Sequence, residues 1–487
     1  MRLVFLFTSA FLCEGFLNRP TFRTNSINRG VSSASSSSLL ASSEWFSVET
    51  TQTGPSKGDV HTLTIHKLPG QQENHLNSLN ETVTEHPLVI QTGKIGRQAA
   101  GAITMTRGDT ILYATAARDP EPKEGLDFLP LSVEYQERFS SAGLTSGGYN
   151  KRDGRPAEHE ILTCRLIDRP LRPIIDKGWR HETQLLSWVL SYDGLRSCDH
   201  LAITASAAAL YLSDVPLTKP VAAAMVGYDK ATDTLLLNPT IEQMKTSELK
   251  LVVAGTKDAV LMIEGAADFL PEATMVRAVK FGHESIRVIC EAMEELGKAV
   301  GMVKNFSTIK PPVEGLQARV DELMATRVDA AYAAGGTKIT QGPVLFGLRD
   351  ELVVMLEEEF PDEKNAIKDC YKDLIIRRMY GRAKEFGVRC DLRKFDEIRN
   401  LDMEAGMLPS VHGSALFTRG DTQVMATATL GGSGMRQKID NIDGTNIKRF
   451  YLQYTFPPSC VGETGRTGAP GRREVGHGNL AERYVNG

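Results

Sequence analysis

The sequence predicts a mixed α/β protein built from a duplicated unit, with an all-helical segment between the two copies. Three observations carry this. The pentapeptide Thr-Arg-Gly-Asp-Thr occurs twice, at 106–110 and 418–422, inside longer stretches that match in order. Strand-like alternation in 44–310 is interleaved with amphipathic helices and hairpin turns rather than strict strand–helix–strand units, the pattern of a layered domain. Residues 311–385 carry helical periodicity and few strand signals.

The repeat extends well past the pentapeptide. Residues 101–105 precede the first copy as 413–417 precede the second, and Ala114-Thr115-Ala116 follows one as Ala426-Thr427-Ala428 follows the other. Further on, Val133-Glu134-Tyr135 answers Leu452-Gln453-Tyr454, and Ser141-Ala142-Gly143 answers Cys460-Val461-Gly462. The spacing is 312 residues at the pentapeptide and 319 afterwards, so one seven-residue insertion separates two matched blocks. A Gly-Asp pair between runs rich in Thr, Val, Ile and Ala is a two-residue hairpin signal. The same letters spell an Arg-Gly-Asp adhesion motif, but a tight turn between buried strands explains them.

Taken in order, residues 1–43 read as a presequence: an apolar run at 3–12 behind Arg2, then 15–43 with no Asp or Glu, several Arg and a serine tract at 35–38. A signal-like segment followed by a transit-like one is the bipartite form that leads into a plastid, with Ser9-Ala10-Phe11 as its cleavage context; a plain secretory signal or a mitochondrial presequence is the alternative. Residues 44–310 form the first unit. Leu88-Val89-Ile90 and 127–135 read as strands, and 157–169 as a helix that Pro170 and Pro173 argue should stop. Residues 201–212 read as a buried helix, 221–237 and 249–264 as two hairpins, and Ile286, Ile289, Cys290, Met293, Leu296 and Val300 as one helical stripe. In 311–385, Leu316, Val320, Leu323, Met324 and Val328 recur at helical spacing, as do Leu345, Leu348, Leu352, Met355 and Leu356, and then Ile367, Cys370, Tyr371 and Leu374. The second unit, 386–487, contains the hairpin at 413–429, an expected strand at 450–454 and a glycine-rich stretch at 462–478; it holds only the N-terminal part of a repeat.

Composition narrows the function. With 41% hydrophobic and 24% charged residues the chain is an ordinary globular protein, and no run of 18 apolar residues predicts a spanning helix. None of the seven cysteines forms a C-x-x-C pair, so neither a zinc knuckle nor a disulfide framework is expected. The formal charge of −4 becomes −7 once Arg2, Arg19, Arg23, Arg29 and Glu14 are set aside; a polyanion would therefore have to bind through a local basic patch. Phosphate-loop, zinc-protease, nucleophile-elbow and dinucleotide-binding signatures are absent from the sequence.

Two glycine-rich basic stretches remain at matching repeat positions, 146–156 and 462–478. Glycines let the backbone approach a phosphate, and paired guanidinium groups fork onto its oxygens. Tyr149 beside Lys151 and Arg152, with Arg155 following, offers a stacking face next to phosphate contacts, as grooves for single-stranded nucleic acid do. Arg472, Arg473 and His477 supply the equivalent in the second unit, with His477 either a phosphate ligand, a proton carrier or a structural residue. A third cluster, 165–173, puts Arg165 and Arg169 on one helical face with Arg172 beyond; Asp168 either pairs with Arg165 or Arg172 or belongs to an RNA-facing surface.

The stretches 96–101, 160–173, 412–423, 454–458, 461–465 and 472–478 closely resemble polynucleotide phosphorylase, in its bacterial and plastid form. The resemblance implies two ribonuclease PH-type domains joined by an all-helical domain, followed by KH and S1 RNA-binding domains, in a homotrimeric ring. It implies 3′-to-5′ degradation of RNA in organellar RNA processing and mRNA decay: inorganic phosphate attacks the terminal phosphodiester of a single-stranded 3′ end and a nucleoside diphosphate leaves, reversibly, with magnesium as cofactor. It places Tyr149, Lys151, Arg152 and Arg155 at the constriction that threads RNA, Arg165 and Arg169 among the RNA contacts, and Arg472, Arg473 and His477 on the substrate side of the second repeat. Two departures stand out. Position 150 is Asn where the family commonly has a second aromatic, and the family's phosphate-gripping serine loop and magnesium-binding aspartates fall beyond Gly487, so the chain itself supplies no metal ligands.

The sequence therefore reads as a C-terminally truncated gene product or gene model. The alternative is a short RNA-binding or ring-forming protein without catalysis, or a fragment that leaves strand edges uncovered. The purified 487-residue chain is expected to release no nucleoside diphosphate from RNA when phosphate is added. Thin-layer or chromatographic assay of such release checks this, and sequencing the transcript across the end of the reading frame tells a truncated gene model from a genuinely short protein.

Overall fold

The computed structural model describes residues 37–52, 59–76, 82–123, 128–146, 151–217 and 219–486. The first unit opens with strands β1 (Ser37–Ser42), β2 (Phe46–Gln52), β3 (Asp59–Ile65), the small pair β4 (Asn74–Leu76) and β5 (Thr82–Thr84), β6 (Leu88–Thr92), β7 (Gly101–Arg107), β8 (Thr110–Pro122) and β9 (Leu131–Glu137). Helix α1 (Glu158–Leu171), β10 (His181–Ser191) and α2 (Asp199–Tyr211) follow. Eight strands form one sheet in the order β1-β2-β3-β6-β7-β8-β10-β9, antiparallel except where β9 runs parallel to β10. A second sheet has the order β12-β11-β13-β14, from β11 (Ala222–Asp229), β12 (Thr234–Leu237), β13 (Leu249–Gly255) and β14 (Val260–Ala267). Its helices are α3 (Ile241–Thr246) and α4 (Glu272–Val300).

Helix α2 lies between the two sheets, touching β7, β8 and β10 on one side and β11 and β13 on the other. That is why its sequence, rich in alanine, is apolar all round and every residue from His200 to Tyr211 is buried. Helices α5 (Leu316–Ala333), α6 (Lys338–Leu356) and α7 (Lys364–Phe386) have a core of their own, with Leu316, Val320, Met324, Val328 and Tyr332 of α5 meeting Leu348, Leu352 and Leu356 of α6 and Ile367, Tyr371 and Leu374 of α7.

The second unit comprises β15 (Leu401–Ala405), β16 (Gly413–Arg419) and β17 (Thr422–Ala428) in one sheet, the hairpin β18 (Gln437–Asn441) and β19 (Gly444–Lys448), and α8 (Arg472–Asn486). The repeat read from the sequence recurs in backbone detail. The two pentapeptides are hairpin turns with Arg107 opposite Thr110 and Arg419 opposite Thr422, and Gly108 (φ 61°) and Gly420 (φ 59°) both take the left-handed conformation. Glu160 accepts the N–H of Glu137 at 2.7 Å on one oxygen and that of Ala157 at 2.5 Å on the other. Glu474 repeats the bracket on the N–H groups of Phe456 (2.7 Å) and Gly471 (2.7 Å), which hold its carboxyl below the usual range. In each unit one carboxylate therefore ties the end of an extended segment to the first turn of a helix, where N–H groups have no helical partner.

The structure departs from the sequence reading in four places. Ser37–Ser42, assigned above to the presequence, pair antiparallel with β2 and satisfy an edge that would otherwise be open; 1–36 lie outside the described residues. Helix α1 runs through Pro170 to Leu171, because a proline in the last turn forfeits a single helical hydrogen bond. Residues 472–478 of the second glycine-rich stretch are the opening turns of α8 rather than loop. No strand forms at 450–454: its counterpart β9 is held by the ladder to β10, and the described part of the second unit offers 450–454 no such partner.

Replacing Glu160 with Ala leaves two backbone N–H groups at a buried position without acceptors, so urea denaturation of that variant is expected to show a loss of about 1–3 kcal/mol.

Candidate functional site

Helices α1 and α8 pack against each other, and the first turn of α8 reaches back to β9 of the first unit. A cavity of about 280 Å³ opens there, lined by Leu131, Val133, Cys164, Arg165, Asp168, Arg172, Arg472 and Arg473. Arg165, Asp168 and Arg172 come from one face of α1 and its C-terminal cap, and Arg472 and Arg473 from the first turn of α8.

The four guanidinium groups are held differently. Arg172 forks onto Asp168, with a closest approach of 2.6 Å, and donates to the carbonyls of Leu129 (2.8 Å) and Leu131 (3.1 Å). Arg472 pairs with Glu134 at 2.5 Å and donates to the carbonyl of Val133. Arg473 stands 6.0 Å from the ring centre of Phe456. Arg165 lies across α8 at Gly476, where an added Cβ would come within 1.0 Å of its Nη1. That glycine is needed for the close approach of two helices, which the sequence reading had taken as a loop feature serving phosphate. Among the described residues neither Arg165 nor Arg473 has a carboxylate partner, so both are available to an anion. Burial raises the Cys164 thiol above its ordinary pKa, so it contributes no negative charge at neutral pH.

Of the residues singled out from the sequence, the structure brings together Arg165, Arg472 and Arg473. Arg169 turns away and pairs with Glu264 at 2.6 Å, a carboxylate that Arg483 of α8 also reaches at 2.6 Å. His477 does not line the cavity; its ring lies 5.3 Å from that of Tyr454, which is followed by Phe456 at 6.4 Å in a near-parallel stack. Lys151, Arg152 and Arg155 are exposed on the loop before α1 with no ion pair among the described residues, and Tyr149 lies outside the described residues. Asp168 takes Arg172 rather than Arg165. The sequence reading did not count Arg172 among the binding residues, although Arg165, Asp168 and Arg172 share helical spacing; the expected stop at Pro170 hid that face.

Another titratable pair sits at the start of α1. His159 Nε2 lies 2.7 Å from Glu137 Oε2, and Glu137 Oε1 accepts the Tyr135 hydroxyl at 2.7 Å. Burial pulls His159 toward the neutral form, but the hydrogen bond and charge of Glu137 outweigh it and leave its pKa above the ordinary histidine value.

A duplicated α/β unit whose helices converge arginines on one cavity defines a class. Residues 84–216 and 397–487 match the 3′ exoribonuclease family, domain 1, and 219–285 match 3′ exoribonuclease family, domain 2. The chain belongs to this 3′ exoribonuclease family. Within it, the chain is similar to polyribonucleotide nucleotidyltransferases: 45% identical to that of Protochlamydia amoebophila over 84% of this chain and 58% of the relative. It is 42% identical to the probable chloroplastic polyribonucleotide nucleotidyltransferase 1 of rice, over 83% of this chain and 50% of the relative, and 41% identical to the Desulfosudis oleivorans protein, over 83% and 56%. The chain thus spans between half and three fifths of the length of these relatives. The solved structure of rice Rrp46 overlaps 41% of this chain at a TM-score of 0.34 and 18% identity, a likeness too slight to argue from.

Because the His159 pKa is raised on folding, the stability supplied by the His159–Glu137 pair is fully present below the unfolded histidine pKa of about 6.5 and is lost as pH rises through the folded value. Denaturation of the protein and of His159→Gln at pH 5.5 and 8.5 should show the larger difference between them at the lower pH.

Proposed function

We propose that this chain serves 3′-to-5′ phosphorolysis of single-stranded RNA, with inorganic phosphate as co-substrate and nucleoside diphosphate as product, in a plastid. The observation that carries the reading is the convergence of Arg165, Arg172, Arg472 and Arg473 on one cavity of about 280 Å³, room for a phosphate and the terminal phosphodiester it attacks. In this reaction an oxygen of inorganic phosphate bonds to the terminal phosphorus, the bond to the preceding 3′ oxygen breaks, and that oxygen takes up a proton. No covalent enzyme intermediate is needed. What the protein supplies is position and charge: Arg165 and Arg473, unpaired, meet the incoming anion, while Arg172 and Arg472 are already oriented by Asp168 and Glu134 and fix the register of the phosphates.

Lys151, Arg152 and Arg155, exposed ahead of α1, are the residues we assign to the path by which RNA reaches the cavity, with Tyr149 as a stacking contact. Arg169 is assigned to holding α1 against β14 rather than to RNA. Homotrimeric ring assembly belongs to the same reading, and the chloroplastic rice relative supports the location. Magnesium is implied by the resemblance, but among the described residues no three His, Cys, Asp or Glu side chains come together to hold an ion, so no step is assigned to it. No helix among the described residues is long and apolar enough to cross a membrane. The exposed Lys151, Arg152 and Arg155 beside α1 also support a second reading, in which this chain binds RNA without cleaving it.

Fluorescence anisotropy with a labelled oligoadenylate tests the reading. The chain is expected to bind with an affinity that falls with salt, and Arg165→Ala and Arg473→Ala are each expected to reduce the slope of log affinity against log salt by about 0.7. Unchanged slopes in both variants would place RNA elsewhere. The sequence leads one to expect no nucleoside diphosphate from the 487-residue chain by itself, so its release in the presence of phosphate would assign catalysis to this chain, and binding without release would favour the binding reading.

A further inference from the structure

The two units meet through the equivalent helices α1 and α8, and the charge at the two ends of that contact is opposite. In the register that places Glu160 on Glu474, the residues lining the cavity have counterparts: Arg472 answers Glu158, Arg473 answers His159, Arg165 answers Asn479 and Asp168 answers Glu482. Each helix start reaches the other unit. The first turn of α8 reaches β9 through Arg472, and the first turn of α1 reaches the end of β19 through Glu158, 3.4 Å from Lys448 Nζ. Where one side has four arginines around an open cavity, the other has Glu158 and Glu482 with one cation between them. Lys448 lies 2.7 Å from Glu482, whose side chain is 8% exposed and whose second oxygen accepts the Leu452 N–H at 3.0 Å.

Lys448 is itself fixed from behind. It ends the β18–β19 hairpin, which lies in the stretch between the matched blocks where the second repeat is seven residues longer. The hairpin's tip is anchored in the first unit: Ile442 is buried and Asp443 accepts the Tyr192 hydroxyl. A cation on a pinned hairpin, bonded to the first turn of α1 and the third turn of α8, spans the same two helices that carry the arginines on the opposite side.

We propose that Lys448 is a positioning residue for the arginine cavity: by tying Glu158 of α1 to Glu482 of α8 it sets the helix separation at which Arg165 and Arg172 face Arg472 and Arg473. Without it, Glu158 and Glu482 are left facing each other as like charges, Glu482 in a buried position, and the helices separate at that end. The gap across the cavity then widens, and two guanidinium groups from different helices no longer reach one anion. This rests on the function proposed above, since it concerns the geometry of that cavity.

The test measures oligoadenylate binding by the full 487-residue chain alongside its thermal unfolding. Lys448→Met is expected to weaken binding about tenfold, a misplacement effect, and Lys448→Arg to restore it to within about twofold. A double-mutant cycle separates positioning from the plain loss of a positive charge. If Lys448 acts through the cavity, Lys448→Met costs little further affinity in an Arg165→Ala background. An equal cost in both backgrounds, or binding by Lys448→Met as tight as that of the unaltered chain, overturns the proposal. Should Lys448→Met fail to fold, Glu158→Gln removes the more exposed strut without burying a lone charge; it should weaken binding about threefold, and unchanged binding again overturns the proposal. If the unaltered chain does not bind oligoadenylate, or Arg165→Ala binds as tightly, the functional reading fails first and is identified as the failure.

Discussion

Position 476 has no side chain, and Arg165 occupies the space where one would be. The contact between the two repeats depends on this. With a Cβ there, the guanidinium would have to leave or α8 would have to move off α1, and in either case the cavity would lose one of its walls. The cavity is not the property of either repeat. Its arginines come half from the helix of one copy and half from the equivalent helix of the other, so a single copy folded alone would present two of the four. Duplication followed by packing across the copies is what turns two ordinary basic helices into a site with enough convergent charge to hold a doubly charged anion.

The repeats share a backbone solution and differ in charge. Both use one carboxylate to join the end of an extended segment to a helix start, Glu160 and Glu474, and both place an arginine of the last helical turn, Arg169 of α1 and Arg483 of α8, on the same Glu264. These shared residues build the frame. The residues that differ, arginine pairs against a carboxylate, a histidine and an asparagine, lie on the faces the helices present to each other's unit. An otherwise acidic chain can therefore bind a polyanion at one place: its basic residues need only be concentrated at one end of the α1–α8 contact, while the other end consumes its own charge in the Lys448 bridge.

Much of this was legible in the sequence. The duplicated pentapeptide marked two hairpins, which form with matching registers, an alanine-rich run marked α2, and helical spacing located α4 and the three helices between the units. Local pattern sufficed because turns and amphipathic faces are local physics. What local pattern could not carry was anything set by a neighbour distant in sequence. The meeting of Arg165 with Arg473, the choice of Arg172 by Asp168, and the outward turn of Arg169 all depend on how α1 sits against α8 and β14. The glycines at 476 and 478 look like a loop in a sequence and are helix packing in the fold, because helix interiors tolerate glycine when a close approach requires it.

The same limit is visible in burial. Met105 and Leu112 on the first hairpin are fully buried, and their counterparts Phe417 and Val424 on the second are 40% and 51% exposed. The sequences of the two hairpins are alike, and so are their turns and registers. The difference is α2, which covers β7 and β8 in the first unit and has no counterpart among the described residues of the second. An apolar strand face states a requirement for cover without naming what supplies it. The strand expected at 450–454 makes the corresponding point for hydrogen bonds, since β9 is a strand by virtue of β10 and the described residues of the second unit present no such ladder to its counterpart. The repeat is therefore equal in sequence and unequal in structure for one physical reason: secondary structure and burial in a sheet belong to pairs of elements, and only one copy has both members of each pair within the described chain.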